Sequence, residues 1–329
     1  MKSLIFLLLA GASAAVAQTK PIPVIFDTDI GDDIDDALAL GLALQSPELD
    51  VKLVTTVADD VDSRTRLAWK ELGLFGRQDI PLATGAPEPL LDPRLPDKAA
   101  QFGILTAADQ PPASAHQRAA DKIIETLLAS PVKMTVIPVG PLTNIALALR
   151  EEPRIREKIE RIVLMGGAYF PARREYNIYR DRIAAQIVFS SGVPITGVGL
   201  DVTEKCKLEG ADLDRLKNAK NPASQFLYRL IQLWQSGNPG RMPTLHDPLA
   251  VGTALRSGLV ETQTGAVQVE TASPMFFGAT VFTLGCEGHN PRSAERECEG
   301  VSGFVYGTPF SASARALSAV IVWSPTRCL

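Results

Sequence analysis

The stretch DTDIGDDIDDALAL, residues 27–40, carries six aspartates between Asp27 and Asp36. Carboxylates this close repel one another, and the start of a helix offsets only one or two such charges. Carboxylate oxygens select hard cations, Ca²⁺ or Mg²⁺, over softer metals. A helix–loop–helix calcium loop does not fit. Counted from Asp27, glycine falls fifth and Leu38 twelfth, where that loop needs glycine sixth and glutamate twelfth. A D-x-D-x-[TV] phosphatase loop fits incompletely, because Gly31 stands where Thr or Val belongs.

The elements that must position this loop alternate along the chain. PVIFD, VKLVTTV, DIPLAT, VKMTVIPV, RIVLMG and PITGVGL are short, rich in β-branched residues and read as buried strands. Between them, residues 35–45, 63–76, 118–129, 142–150, 181–191 and 223–235 read as helices. The alternation predicts an α/β fold: one domain with a mostly parallel central sheet covered by helices on both faces. In such sheets ligands bind beyond the carboxyl ends of the strands. Five polar clusters follow strands in this way: the aspartate loop, Ala58–Asp60, Gly140–Asn144, Gly166-Gly167 and Asp201–Glu204. Together they describe an acidic site at one sheet edge.

Lys2, the apolar run LIFLLLAGAS and Ala15-Val16-Ala17 read as a signal peptide over residues 1–17, too short to span a bilayer. A secreted or periplasmic protein is expected, with its main domain over 18–284 and a divergent segment over 285–329. The formal net charge of −4 becomes −5 without Lys2, which gives no electrostatic footprint for nucleic acid or an anionic membrane. The four cysteines, Cys206, Cys286, Cys298 and Cys328, show no CxxC spacing, so a zinc site is not expected.

The loop resembles the strand-D-x-D-P-G-x-D-D-A signature of the inosine-uridine preferring nucleoside hydrolases, here with two extra residues. VGPLTNIALAL (139–149), MGGA (165–168), EYNIYRDRIAAQIVF (175–189), ITGVGLDVTEK (195–205) and TLHDPLAV (244–251) match further family segments in order. The resemblance implies a Rossmann-like fold and hydrolysis of the N-glycosidic bond of ribonucleosides. It implies Ca²⁺ held by Asp29, Asp36, Asp247 and the carbonyl of Val139. Asp29 would take a proton from the attacking water, and His246 would act on the side of the leaving base. Asp35, Glu175 and Asn177 would bind the ribose, and Asp60 falls where the family has an asparagine near the sugar. The partner implied is a small nucleoside, with a homo-oligomer left open.

The extra residues leave Asp33 and Asp36 as rival metal ligands, and Asp36 is favoured because the helix anchors it. The family's asparagine after MGG is missing from AYFPARR, and Phe277 stands where an arginine usually precedes the glycine. Asn144 reads as a structural helix-start residue. Two other functions compete with the hydrolase: a magnesium-dependent phosphatase, and an exported calcium-dependent ribose or nucleoside binder without turnover.

Overall fold

The computed structural model describes residues 20–92, 99–256, 258–284 and 304–305. The expected signal peptide, Cys286, Cys298, Cys328 and nearly all of the 285–329 segment lie outside these residues.

Six strands form the parallel heart of the sheet: β1 (Ile22–Thr28), β2 (Leu49–Thr56), β3 (Leu82–Ala83), β4 (Met134–Pro138), β5 (Ile159–Met165) and β6 (Ile195–Val198). Three more follow: β7 (Thr264–Val269), β8 (Thr280–Leu284) and the two-residue β9 (Phe304–Val305). The order across the sheet is β3-β2-β1-β4-β5-β6-β9-β7-β8. β9 runs parallel to β6, and β7 pairs antiparallel with both β9 and β8. The chain leaves β1 in one direction for β2 and in the other for β4, so the topological switch lies between β1 and β4. The aspartate loop and Val139 emerge there.

Burial follows the strand period of two. Val24 and Phe26 face one core layer while Ile25 faces the other, and Val54 and Leu53 divide in the same way. The first layer packs under α1 (Asp35–Gln45), α2 (Val61–Leu74), α9 (Pro222–Gly237) and α10 (His246–Leu255). The second packs under α3 (Ala119–Ala129), α4 (Thr143–Glu151) and α6 (Arg182–Phe189). Short α5 (Tyr176–Arg180) and α7 (Leu200–Thr203) lie at the site edge, and α8 (Gly210–Asn218) packs on α9. α1 is apolar on all sides and buried throughout, as a helix wedged between a sheet and other helices must be.

One charged group inside the first layer is out of place. Glu71 of α2 is fully buried, and neither carboxyl oxygen has a hydrogen-bond partner of good geometry. It faces α1 at Gly41, where a β-carbon would stand 3.4 Å from Oε1. Burial raises its pKa well above the ordinary value, and the backbone of Gly41 offsets this only in part. A carboxyl that binds its proton more tightly when folded makes the fold less stable as pH rises above about 4.5. Glu71→Gln should therefore melt higher than wild type at pH 8, with the gap shrinking towards pH 5. Equal melting temperatures across that range would show that the group ionises freely in the folded state.

Candidate active site

The strand ends enclose a cavity of about 360 Å³ lined by Asp29, Asp32, Asp33, Asp35, Asp36, Val139, Glu175, Tyr176, Asn177, His246 and Asp247, among others. Asp35 and Asp36 open α1, where the helix dipole favours negative charge, and Asp247 sits in the first turn of α10. Asp35, Asp36 and Asp247 each offer an oxygen within 4.8 Å of the other two. All three are buried, and none has a lysine or arginine partner among the described residues. Burial first, and the neighbouring aspartates second, push all three carboxyls well above the usual range. Asp29, on the same cavity, is pushed up to about 7 by burial despite the Arg64 guanidinium. Buried oxygen donors that repel one another fit a hard divalent cation.

Asp33 and Asp36, the two rival ligands, are placed differently. Asp36 belongs to the three-carboxylate group and accepts a hydrogen bond from the Thr28 hydroxyl at 2.5 Å. The Asp33 carboxylate instead accepts from the backbone N–H of Ile34 at 2.7 Å and stands outside that group. Val139 faces the cavity, and its carbonyl accepts from Asn177 Nδ2 at 2.7 Å. Gly140 follows because a β-carbon there would come within 2.7 Å of Asp29 Oδ1. Glu175 caps α5, accepting from the N–H groups of Gly167, Asn177 and Ile178.

Asp60 does not line the cavity. It is exposed, and its carboxylate caps α2 by accepting from the Ser63 N–H at 3.0 Å. Its neighbour Asp59 is the buried one, held with a left-handed φ of 56° and paired with Arg180 of α5. Two consecutive left-handed residues, Ala58 and Asp59, turn the chain so that the first aspartate points inward and the second outward.

His246 lines the cavity, with Nδ1 2.7 Å from Thr203 Oγ1. Burial, aided by Lys207 and Arg241 and opposed by Glu204, pulls its pKa down to about 4, so the ring is neutral at pH 7. A stored imidazolium proton, with which the ring could protonate a leaving base outright, is therefore not the resident state.

The positive charge that the crowded loop requires is Arg64, which the sequence reading did not single out. Its side chain is almost fully buried under the loop. Nε donates to Ala58 O at 2.8 Å, Nη1 to Ile30 O at 3.0 Å and Nη2 to Asp32 Oδ2 at 2.6 Å. Gln101 Nε2 donates to the carbonyls of Asp32 and Asp33, so the loop is held by Arg64 and Gln101 together. Asn144 is structural, as expected: Nδ2 donates to Asp27 Oδ1 and Thr56 O, and Oδ1 accepts from the Ala86 N–H. Arg64→Met should cost about 3–5 kcal/mol in urea unfolding, the range for breaking one side of a buried ion pair. Arg64→Lys should lose less, keeping the charge but not the three-way fork. A methionine variant within experimental error of wild type would remove Arg64 from this role.

Comparison with known proteins agrees with this geometry. Residues 24–302 match the family described as inosine-uridine preferring nucleoside hydrolase. The chain is 39% identical over 276 residues to a pyrimidine-specific ribonucleoside hydrolase, RihA, of Citrobacter koseri, covering 79% of this chain and 88% of the relative. The corresponding protein of Salmonella arizonae is 38% identical over the same coverage. Among solved structures, the plant nucleoside hydrolase PpNRh1 superposes with a TM-score of 0.76 at 29% identity, covering 92% of this chain and 98% of that one. A purine-preferring ribonucleoside hydrolase from Gardnerella vaginalis gives 0.75 at 26% identity, over 91% and 99%. With family match, sequence identity and overall fold in agreement, the chain belongs to the inosine-uridine preferring nucleoside hydrolase family, enzymes that hydrolyse the N-glycosidic bond of ribonucleosides.

Proposed function

We propose that this hydrolase works with Ca²⁺ held by Asp29, Asp36, Asp247 and the Val139 carbonyl. The observation that carries the reading is the meeting of the buried carboxylates of Asp35, Asp36 and Asp247 at the switch point, where none of the three has an ion-pair partner among the described residues. When bound, the ion would supply positive charge that fixes the ribose hydroxyls and makes a water easier to deprotonate. Asp35 receives a ribose hydroxyl, while Glu175 and Asn177 hold the sugar towards its 5′ end. Asp29 takes the proton of the water that attacks C1′. As the C1′–N bond breaks, its electron pair goes to the base, and the carboxylates stabilise the positive charge spreading over the sugar. His246 gives the departing base a hydrogen bond, and the base takes its proton from solvent. The N-terminal segment supports export as the setting for this activity.

Purified protein incubated with a ribonucleoside panel, with Ca²⁺ or with chelator, should release free base and ribose only when Ca²⁺ is present. The named specificity of the RihA relatives makes uridine and cytidine the first substrates to try. Ligand binding without released base would favour a binding protein, and phosphate release from nucleotides without base release would favour a phosphatase.

Calcium should also raise the melting temperature by mass action, stabilising the fold by about 2.7 kcal/mol at a hundredfold excess over Kd. Asp36→Asn and Asp247→Asn should abolish the rise, and Asp60→Asn should keep it. A normal rise in either of the first two variants would remove that residue from the ligand set.

His246→Ala should lower kcat on uridine or inosine by about 10²–10³-fold, the usual effect of removing one donor to developing negative charge. On p-nitrophenyl riboside, whose leaving group needs no help, the loss should be small. Equal losses on both substrates would assign His246 to sugar binding or to structure.

A further inference from the structure

His246 can help a departing base in the way just described only if one ring nitrogen carries its proton into the cavity, and the surroundings decide which nitrogen that is. The inference rests on the hydrolase reading above.

Thr203, the last residue of α7, is fully buried, and its hydroxyl lies 2.7 Å from His246 Nδ1. Three threonines inside longer helices turn their hydroxyls back onto the carbonyl four residues earlier: Thr65 on Val61, Thr126 on Lys122 and Thr253 on Leu249, at 2.7–2.8 Å. Thr203 does not. The corresponding carbonyl, Gly199 O, already accepts from the N–H groups of Val202 and Thr203. Among the described residues the imidazole is the one hydrogen-bond partner of this hydroxyl.

That leaves two placements of the protons. If Nδ1–H donates to Thr203, the hydroxyl proton is left without an acceptor on a fully buried side chain, which is costly. If the hydroxyl donates to Nδ1, both groups are satisfied, and a neutral ring must carry its proton on Nε2. Nε2 has no protein partner among the described residues, and the ring lines the cavity.

We propose that Thr203 is a positioning residue that fixes His246 as the Nε2–H tautomer, so that the ring presents a hydrogen-bond donor to the departing base. With Nδ1 protonated instead, Nε2 would present a lone pair to a group that is gaining negative charge, and the contact would turn repulsive.

The full chain has three histidines, which makes long-range ¹H–¹⁵N spectra of the labelled protein tractable. His246→Asn assigns the relevant signal. At neutral pH the unprotonated nitrogen should be Nδ1 in wild type and in Thr203→Ser. Thr203→Val, close in shape but without the hydroxyl, should shift the ring to a mixture or to the other tautomer. In kinetics, Thr203→Val should lower kcat on uridine about 10–100-fold, from one lost hydrogen bond to a polar group, yet change p-nitrophenyl riboside about 2-fold at most. Thr203→Ser should return uridine turnover to within about 3-fold of wild type. A wild-type ring protonated at Nδ1, a valine variant with unchanged spectrum and rate, or equal losses on both substrates would each overturn the proposal. Absence of nucleoside turnover in the wild type would instead count against the hydrolase reading, and the spectra would still decide the tautomer.

Discussion

Repulsion among buried carboxylates is the constraint around which this molecule is arranged. Two unit charges 4 Å apart interact by about 4 kcal/mol near a protein surface, and by more where water is excluded. The structure divides the problem in space. On the outer side of the aspartate loop, Asp32 and Asp59 share the buried cation of Arg64, and Asp59 also takes Arg180. On the inner side, Asp35, Asp36 and Asp247 have no such cation among the described residues. The paired half is a scaffold that holds without help. The unpaired half is left to be completed by something that can leave and return, which is what a binding site for a small cation requires.

The scaffold extends beneath the loop as a continuous polar network. Asp27 accepts from the Thr55 hydroxyl and from Asn144, and Asn144 continues to Thr56 O and the Ala86 N–H. This ties the ends of β1 and β2 to the start of α4, across the switch point. Beyond α5, Asp181 takes hydrogen bonds from Thr143, Leu90 N–H and Ala184 N–H, and so links α4 to α6. Asp201 does the same for the turn after β5, accepting from the N–H groups of Tyr169 and Phe170. Buried polar groups stabilise a unique arrangement only when each is satisfied, and most of these are. The cavity walls therefore come from loops and helix starts together, and these hydrogen bonds tie the loops to the strands that carry them.

The six parallel strands and the longer helices were legible because each has the right period and the right flanking residues. α1 was found to the residue, and the other long helices to within a few positions. The β7–β8 hairpin and helices α5, α7, α8 and α10 were not read. α5 and α7 are short, α8 buries only Leu216, and α10 is buried on nearly every side, so it shows no amphipathic stripe. Asp29, Asp36 and Asp247, which the family resemblance singled out, line one cavity in the structure. The site was misread at Asp59-Asp60, where two left-handed residues decide which carboxylate turns inward and nothing in the adjacent sequence announces them. Arg64 did leave a signal. Val61, Arg64, Thr65, Leu67, Ala68, Glu71 and Leu72 form the buried stripe of α2, and a charged residue on such a stripe has to be paired or neutralised.

Phe277 shows how the same physics works when the expected residue is absent. Where the family resemblance led us to look for an arginine, the phenylalanine ring stacks on Tyr179 with centroids 5.7 Å apart. The guanidinium groups of Arg174 and Arg182 lie 4.9 Å and 4.4 Å from its centroid. An aromatic face attracts cations and favours arginine. The ring thus gathers two guanidinium groups from a neighbouring segment, and one of them, Arg174, also lines the cavity. Positive charge beside an acidic pocket is supplied by position in space, and different segments of the chain can deliver it. A departure from a sequence pattern therefore alters the function of a site only where the fold provides no second route to the same charge.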